Sequence, residues 1–460
     1  MNDDFALWST TRQAAAIRSG ELGSRELLEH FIERIDRINP DLNAVITKSY
    51  EPARAQADAA DAALARGEDL GLLHGVPVTI KDALETEGIR STGGATELRE
   101  NVPTRDAPVV RAIKEAGAIV FGKTNLPRWS GDLQSFNDLF GTTVNPWNAE
   151  RVPGGSSGGA GAAVATGLTS FEIGTDIGGS IRVPSSFCGV FGHKPSFGIV
   201  PSTGYLDHVD AGTTEADINV LGPITRSAED LELLLKILQR NEGPLRADLA
   251  PAPDDVRSLR VAAWLDDPLC PVDAEVLDVL SSAADALEAS GVTVDRSARP
   301  DIDAQEAVSI GMWLLFAAMA QSLPPEASAQ TTHHAWLNAH QTREAIRAKW
   351  AEFFTGYDAV LMPVTIVPPF SHDHTGDFGT RSLLCNGESR PYLDLVFWTV
   401  LVGMAYLPVT VPPIGLGPSN LPIGIQVVGP YGGDYRTIRL AGHLADLCGG
   451  YQPPPIACPA

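Results

Sequence analysis

At 460 residues, 44% hydrophobic and 20% charged, the chain is long enough for a large core and excludes a small module or global disorder. Its 57 acidic residues outnumber 34 basic ones, leaving a formal charge of −23, which argues against nucleic acid or an anionic membrane as partner. Five scattered cysteines (Cys188, Cys270, Cys385, Cys448, Cys458) form no C-x-x-C pair, so a reduced, cytoplasmic setting without disulfides or a zinc knuckle is expected.

Met1-Asn2-Asp3-Asp4 is acidic and no apolar core follows, so no signal peptide is expected. Ser24 reads as a helix N-cap, followed at helical spacing by Leu27, Leu28, Phe31, Ile32, Ile35 and Ile38, with Pro40 blocking continuation. A second helix begins near Asp106, with Pro108 in its first turn and Gly117 after its end, and the strand Ala118 to Phe121 follows. Glu242 to Asp255, rich in Pro, Ala and Asp, reads as a linker or surface loop. Beyond it come a strand (Arg260 to Trp264), a helix (Asp273 to Ser290, closed by Gly291) and a strand (Val292 to Val294). The apolar run Leu395 to Leu407 is shorter than the ~20 residues a bilayer requires and reads as a buried element. The Pro-rich tail from Tyr451 reads as irregular. Strands alternating with helices predict an α/β sheet covered on both faces.

The most informative segment runs from Pro153 to Pro184. Gly154-Gly155-Ser156-Ser157-Gly158-Gly159 opens it, an apolar small-residue stretch and the alternating Phe171 and Ile173 follow, and Gly178-Gly179-Ser180-Ile181-Arg182 closes it. The pattern predicts loop, packed helix, short strand and second glycine loop. A dinucleotide-binding reading of Gly159-Ala160-Gly161 lacks the strand it requires, because Asn145-Pro146-Trp147-Asn148 and Pro153 are turn formers. A P-loop reading lacks its Gly-Lys-Ser/Thr ending. Gly155, Ser157 and Gly159 match G-x-S-x-G, but that elbow also needs a preceding strand. A flexible Gly/Ser linker is seldom followed by an apolar helix and a second glycine loop.

These blocks resemble the amidase signature family. Gly154 to Gly159, with Ser180 placed 24 positions after Ser156 in Gly174-Thr175-Asp176-Ile177-Gly178-Gly179-Ser180-Ile181-Arg182-Val183-Pro184, is similar to the signature itself. Gly75-Val76-Pro77-Val78-Thr79-Ile80-Lys81-Asp82 resembles the strand that delivers the family's lysine. Phe121 to Asn125, Asn145 to Trp147, Gly192 to Pro195, Gly222 to Arg226, Leu407 to Pro412 and Leu421 to Gln426 agree in order. The resemblance covers nearly the whole chain and is weakest between about Glu242 and Val360. It implies one large α/β domain over 1–460, with a central twisted mixed β-sheet, helices on both faces and a more variable helical and loop region at about 242–390.

The resemblance also implies roles. Ser180 is the expected nucleophile, Ser156 the proton relay and Lys81 the general base. Ile177, Gly178 and Gly179, with Ser180, are the expected oxyanion donors, and Trp129, Ser130, Gly131 and Gly155 the expected substrate contacts. Thr175, Asp176 and Arg182 support the glycine loop. The family's peptide before the relay serine is cis. A lysine acts as a base only when neutral, so its pKa must fall from ~10.4, and the apolar run Val76 to Ile80 offers the burial to do it. Asp82 would oppose that fall on contact with Lys81, but successive strand residues face opposite ways.

His372-Asp373-His374 lies in a polar loop without a third cluster, so no metal is expected, and no cofactor. Cys188 reads as a packed small residue. The expected substrate is a small aryl or aliphatic amide, cleaved through an acyl-enzyme, with carbamates (urethanes) and esters as variants. Trp129, Phe136 and Phe140 are expected to wall an apolar pocket. A glutaminase subunit of a tRNA-dependent amidotransferase is the alternative of another class, although Tyr205-Leu206-Asp207-His208 departs from that pattern. A monomer or homodimer, off the membrane, is expected.

Overall fold

The fold is that of a computed structural model describing residues 4–68, 71–240, 249–323, 325–329 and 331–458. The first long helix runs Ser24–Leu42 and buries Leu27, Leu28, Phe31, Ile32, Ile35 and Ile38. Its ends differ from the expectation. Gly23 is the N-cap, while the Ser24 hydroxyl donates to Gly75 O at 2.6 Å, tying the helix to the approach of the strand Pro77–Lys81. Pro40 sits inside the last turn, and Asn43, with φ of 54°, makes the stop by closing its N–H on Asn39 O at 2.7 Å. Pro108–Glu115, Ile119–Thr124, Arg260–Ala263, Ala274–Ala289 (capped by Asp273) and Thr293–Asp295 follow the predicted elements to within a few residues.

The architecture is α/β. Among the described residues a nine-stranded mixed sheet runs Thr293–Asp295, Arg260–Ala263, Ala359–Pro363, Pro422–Val428, Val409–Val411, Phe191–Lys194, Val220–Thr225, Glu172–Asp176, with Pro413–Leu416 also paired to Pro422–Val428. The first three strands are parallel and the remaining pairings antiparallel. Helices occupy both faces, as alternate residues of one strand demonstrate. Gly192 faces Ser185 on the helix Arg182–Cys188, whereas His193 faces Asp434 on the helix Asp434–Cys448, 3.2 Å away. Two apolar clusters fill the interior, and each draws residues from helices on both faces.

A smaller sheet orders Val45–Lys48, Ile119–Thr124 and Pro77–Lys81, so Pro77–Lys81 is its edge. That edge does not extend into the large sheet. Thr79 N–H donates instead to the Thr169 hydroxyl at 2.9 Å, and the Thr79 hydroxyl reaches Glu172 on the large sheet's edge strand. The seam between the two sheets carries the site.

Of the expected linker, 242–248 lies outside the described residues, and 249–255 has no regular structure. Leu395 to Leu407 is buried apart from the half-buried Tyr406: a 3₁₀ turn, Tyr392–Val396, leads into the helix Phe397–Gly403. The tail is irregular apart from one 3₁₀ turn, Pro455–Ala457, and is anchored by the Tyr451 hydroxyl on Ala165 O at 2.7 Å. Among the described residues no helix is long and apolar enough to cross a membrane.

Candidate active site

Lys81 ends a strand whose five residues are all buried. Its Nζ lies 2.7 Å from Ser156 Oγ, 3.0 Å from Ser157 Oγ and 2.7 Å from Thr175 Oγ1. Burial pushes the amine down to about 7, against the opposing pull of Asp176 and Glu172. At neutral pH it is therefore present in both forms, and the neutral amine has a lone pair to offer a hydroxyl proton. Asp82 does not join this set. Its carboxylate accepts from the Thr92 N–H at 3.1 Å and from the Thr92 hydroxyl, with Lys123 the cation that most opposes the effect of its burial, as strand alternation predicts.

Ser156 follows a cis Gly155–Ser156 peptide. Two glycines let the chain pass here. Gly154 has φ of +83°, and a Cβ on it would meet Pro184 backbone at 2.9 Å. A Cβ on Gly155 would stand 2.5 Å from the Leu133 carbonyl carbon. Gly155 therefore supports the loop 132–134 from beneath and does not line the cleft described below. Ser157 N–H donates to Ser180 O at 3.2 Å, tying the two glycine loops together.

Asp176 organises the second loop. One carboxylate oxygen accepts the Gly179 N–H at 2.8 Å, the other the Ile181 and Arg182 N–H groups at 3.0 and 3.3 Å. Arg182 closes on both oxygens through Nη2 at 2.8 Å and Nε at 3.0 Å, and its Nη1 reaches Thr399 O and Gln426 Oε1. Burial alone would raise Asp176, but the guanidinium and the N–H groups leave it below the usual carboxylate value. The Thr399 hydroxyl holds Gly178 O at 2.7 Å.

Among the expected oxyanion donors, Gly179 is thus corrected: its N–H is committed to Asp176. The amides of Ile177, Gly178 and Ser180 make no hydrogen bond among the described residues, nor does the Ser180 hydroxyl. Ser180 instead borders an apolar cleft of about 70 Å³.

Met312, Leu315, Phe316 and Met319 line it together with Phe378, Tyr392 and Val396, and Phe378 stacks on Phe316 at 6.2 Å. Ser130 and Gly131 also line the cleft. Trp129 does not. It lies on the far side of the same turn, packed against Gly93 with Arg128 over its ring. Phe136 stacks on His374 at 3.8 Å and Phe140 lies beneath Arg90, so neither of these expected walls faces Ser180. The charged group at the rim, Asp132, is tied to Arg381 at 2.6 Å and to the Tyr392 hydroxyl at 2.7 Å. Cys188 is buried against Pro153 O, and burial drives its thiol far above the ordinary range.

Sequence reasoning missed the methionine-rich wall, although positions 312, 315, 316 and 319 repeat at i, i+3, i+4 and i+7, the stripe of one helix face. It missed the Asp132–Arg381 pair because 249 residues separate the partners. Ser157 was read only as part of the motif, yet it contacts Lys81 directly.

Residues 26–324 and 325–438 match the family model for amidases. The chain is 32% identical over 467 aligned positions to indoleacetamide hydrolase of Bradyrhizobium diazoefficiens, covering 92% of this chain and 83% of the relative. It is 33% identical over 457 positions to a glutamyl-tRNA(Gln) amidotransferase subunit of Moorella thermoacetica, covering 89% and 90%. It superposes with a TM-score of 0.85, at 25% identity and with 96% of each chain covered, on a bacterial aryl acylamidase of the amidase signature enzymes.

Proposed function

The chain belongs to the amidase family of hydrolases acting on carbon–nitrogen bonds, and from that premise we propose that it cleaves a small, uncharged aryl or aliphatic amide through an acyl-enzyme on Ser180. The observation that carries the reading is the buried Lys81 amine, held down to about 7 and bonded to Ser156 Oγ.

With the Ser180 hydroxyl turned onto Ser156 Oγ as substrate binds, neutral Lys81 takes the Ser156 proton while Ser156 takes that of Ser180, and the Ser180 oxygen bonds to the substrate carbonyl carbon. The carbonyl oxygen becomes an oxyanion facing the uncommitted amides of Ile177, Gly178 and Ser180. Preorganised donors of this kind contribute about 3–4 kcal/mol each. Ser156 then hands a proton to the departing nitrogen, replaced from Lys81, and the C–N bond breaks. Water adds to the acyl carbon with its proton leaving by the same route, and the acid departs. Asp176 and Arg182 hold the donors in place. Segments from 77 to 426 contribute to this one site, which supports reading the chain as one amidase domain.

The cleft beside Ser180 supports the substrate class. Its walls are apolar and its charged rim residue is already neutralised, an environment suited to an uncharged acyl group. Carbamates share the chemistry. The identity to the Moorella amidotransferase chain supports a second reading, a glutaminase that works within a complex.

One experiment separates them. The purified chain is incubated with a panel of anilides, simple amides, carbamates and glutamine, and with a fluorophosphonate to trap the nucleophile. We expect unaided hydrolysis of an apolar anilide, a covalent adduct on Ser180, and a loss of at least about 10⁴-fold in Ser180→Ala. An adduct on another residue refutes the role assignment. Turnover of glutamine alone, or no turnover without a partner, favours the amidotransferase reading.

A further inference from the structure

Behind Lys81 lies a buried carboxylate that the proposed reaction does not use. Glu172 is fully buried at the start of the strand that carries Thr175 and Asp176. Its Oε1 accepts from the Thr79 and Thr124 hydroxyls at 2.6 and 2.9 Å, and its Oε2 from the Ile173 N–H at 3.2 Å. Thr79 stands two residues before Lys81 and so on the same face of its strand. Thr124 is the register partner of Lys81 on the neighbouring strand. Glu172 therefore clamps both strands at the point where they deliver the amine.

Its three donors are all uncharged. The neighbouring cations spend their hydrogen bonds on neutral oxygens as well: Lys81 on three hydroxyls, Lys123 on Leu84 O, Thr86 Oγ1 and Ser91 Oγ. Asp176, the other carboxylate facing Lys81, is closed by Arg182 through two contacts. Beyond these, Lys123 faces Asp82, Glu172, Lys114 and Asp106, and Asp176 faces Lys194. Glu172 is thus a buried carboxylate whose field reaches both Lys81 and Lys123 and that no cation closes by a hydrogen bond. Burial pushes it up to about 7 against the opposing pull of its threonine donors and Lys123, and its charge in turn holds the Lys81 amine up against burial, after the larger pull of Asp176.

We infer that Glu172 is a positioning residue for the base: beside the larger pull of Asp176, its charge raises the pH at which Lys81 gives up its proton, and with it the pH at which Ser180 becomes reactive. This rests on the roles proposed above for Lys81 and Ser180. The chemistry has a definite sign. An ionised neighbour stabilises the ammonium, so removing that charge lets Lys81 become neutral at lower pH.

The test is Glu172→Gln, whose amide oxygen keeps both threonine bonds while the charge is lost. The second-order rate of Ser180 labelling by a fluorophosphonate is measured from about pH 5 to about pH 9.5, a readout that follows the base of the free enzyme without any substrate. The rising limb is expected to move toward acid by about one pH unit, making labelling about fivefold faster one unit below the wild-type midpoint. A midpoint that stays put or moves to higher pH overturns the inference. If Glu172→Gln does not fold, Thr124→Val removes one donor to the charged carboxylate and must move the limb the same way by a smaller amount. A folded Thr124→Val with an unmoved limb refutes it equally. Wild type that fails to label at Ser180 refutes the catalytic roles and this inference together, whereas labelled wild type with an immobile limb counts against Glu172 alone.

Discussion

Replacing Lys81 with methionine keeps much of the side-chain length and removes the amine, which exposes what the site costs the fold. Burial lowers the amine from 10.5 to about 7, so the folded chain holds this proton more weakly than the unfolded chain does. Each unit of difference is about 1.4 kcal/mol. At about pH 7 the resulting penalty is about 4 kcal/mol; by about pH 9 the folded chain has released the proton, and the penalty has fallen to about 2 kcal/mol. Throughout the window from about 7 to 10.5 the unfolded chain binds more protons. Wild-type stability therefore rises with pH there and is lost as the pH falls toward 7. Lys123 and Lys194, lowered by burial to about 8 and about 7, titrate in both proteins and cancel in the difference. The hydroxyl bonds lost with the amine add an offset that does not vary with pH. Urea unfolding of both proteins, at about pH 7 and about pH 9, should show wild type gaining about 2 kcal/mol on Lys81→Met across the interval. Parallel curves, or a gain by the variant, would refute the claim that this amine is held neutral by burial.

Two further outcomes follow from the same geometry. Arg182→Met strips the only cation contacting Asp176 among the described residues and frees Thr399 O and Gln426, so urea unfolding should show a loss of about 3–5 kcal/mol. Phe316→Trp enlarges one wall of a cleft of only about 70 Å³. It should lower kcat/KM by about tenfold for a benzoyl anilide and by less than about twofold for the acetyl analogue, read from initial rates.

Much of the seam around Lys81 and Ser156 was legible in the sequence, because its local requirements leave a mark. Glycines stand where neighbouring backbone leaves no room for a Cβ, as at Gly154 and Gly155, and an apolar strand precedes a lysine that must be dry. Strand alternation alone separated Asp82 from Lys81. What escaped depends on chain segments meeting from far apart. Trp129 and Ser130 are consecutive, yet positive φ at both, 52° and 56°, turns one away from the cleft and the other toward it. No composition rule encodes that turn. The commitment of Gly179 N–H to Asp176 depends on where a carboxylate three residues earlier points after the loop has closed. Pro40 looked like a stop, but the helix carries it through its last turn at the cost of one i→i−4 bond, and Asn43 supplies the ending.

The arrangement also explains why the second glycine loop needs a charged pair in so buried a place. Amides free to meet an oxyanion are by definition amides without a partner, and buried unpaired N–H groups are costly. A loop offering Ile177, Gly178 and Ser180 in this way would relax into internal hydrogen bonds unless something fixed its course. Asp176 takes the N–H groups at 179, 181 and 182, and Thr399 takes the carbonyl at 178, so the competing partners within the loop are already spent. Arg182 then makes an otherwise prohibitive buried carboxylate tolerable and carries the constraint to Gln426 in the middle of the sheet. The uncommitted amides are thus a consequence of saturation around them, and the anion-binding role proposed for them depends on residues that never touch the anion.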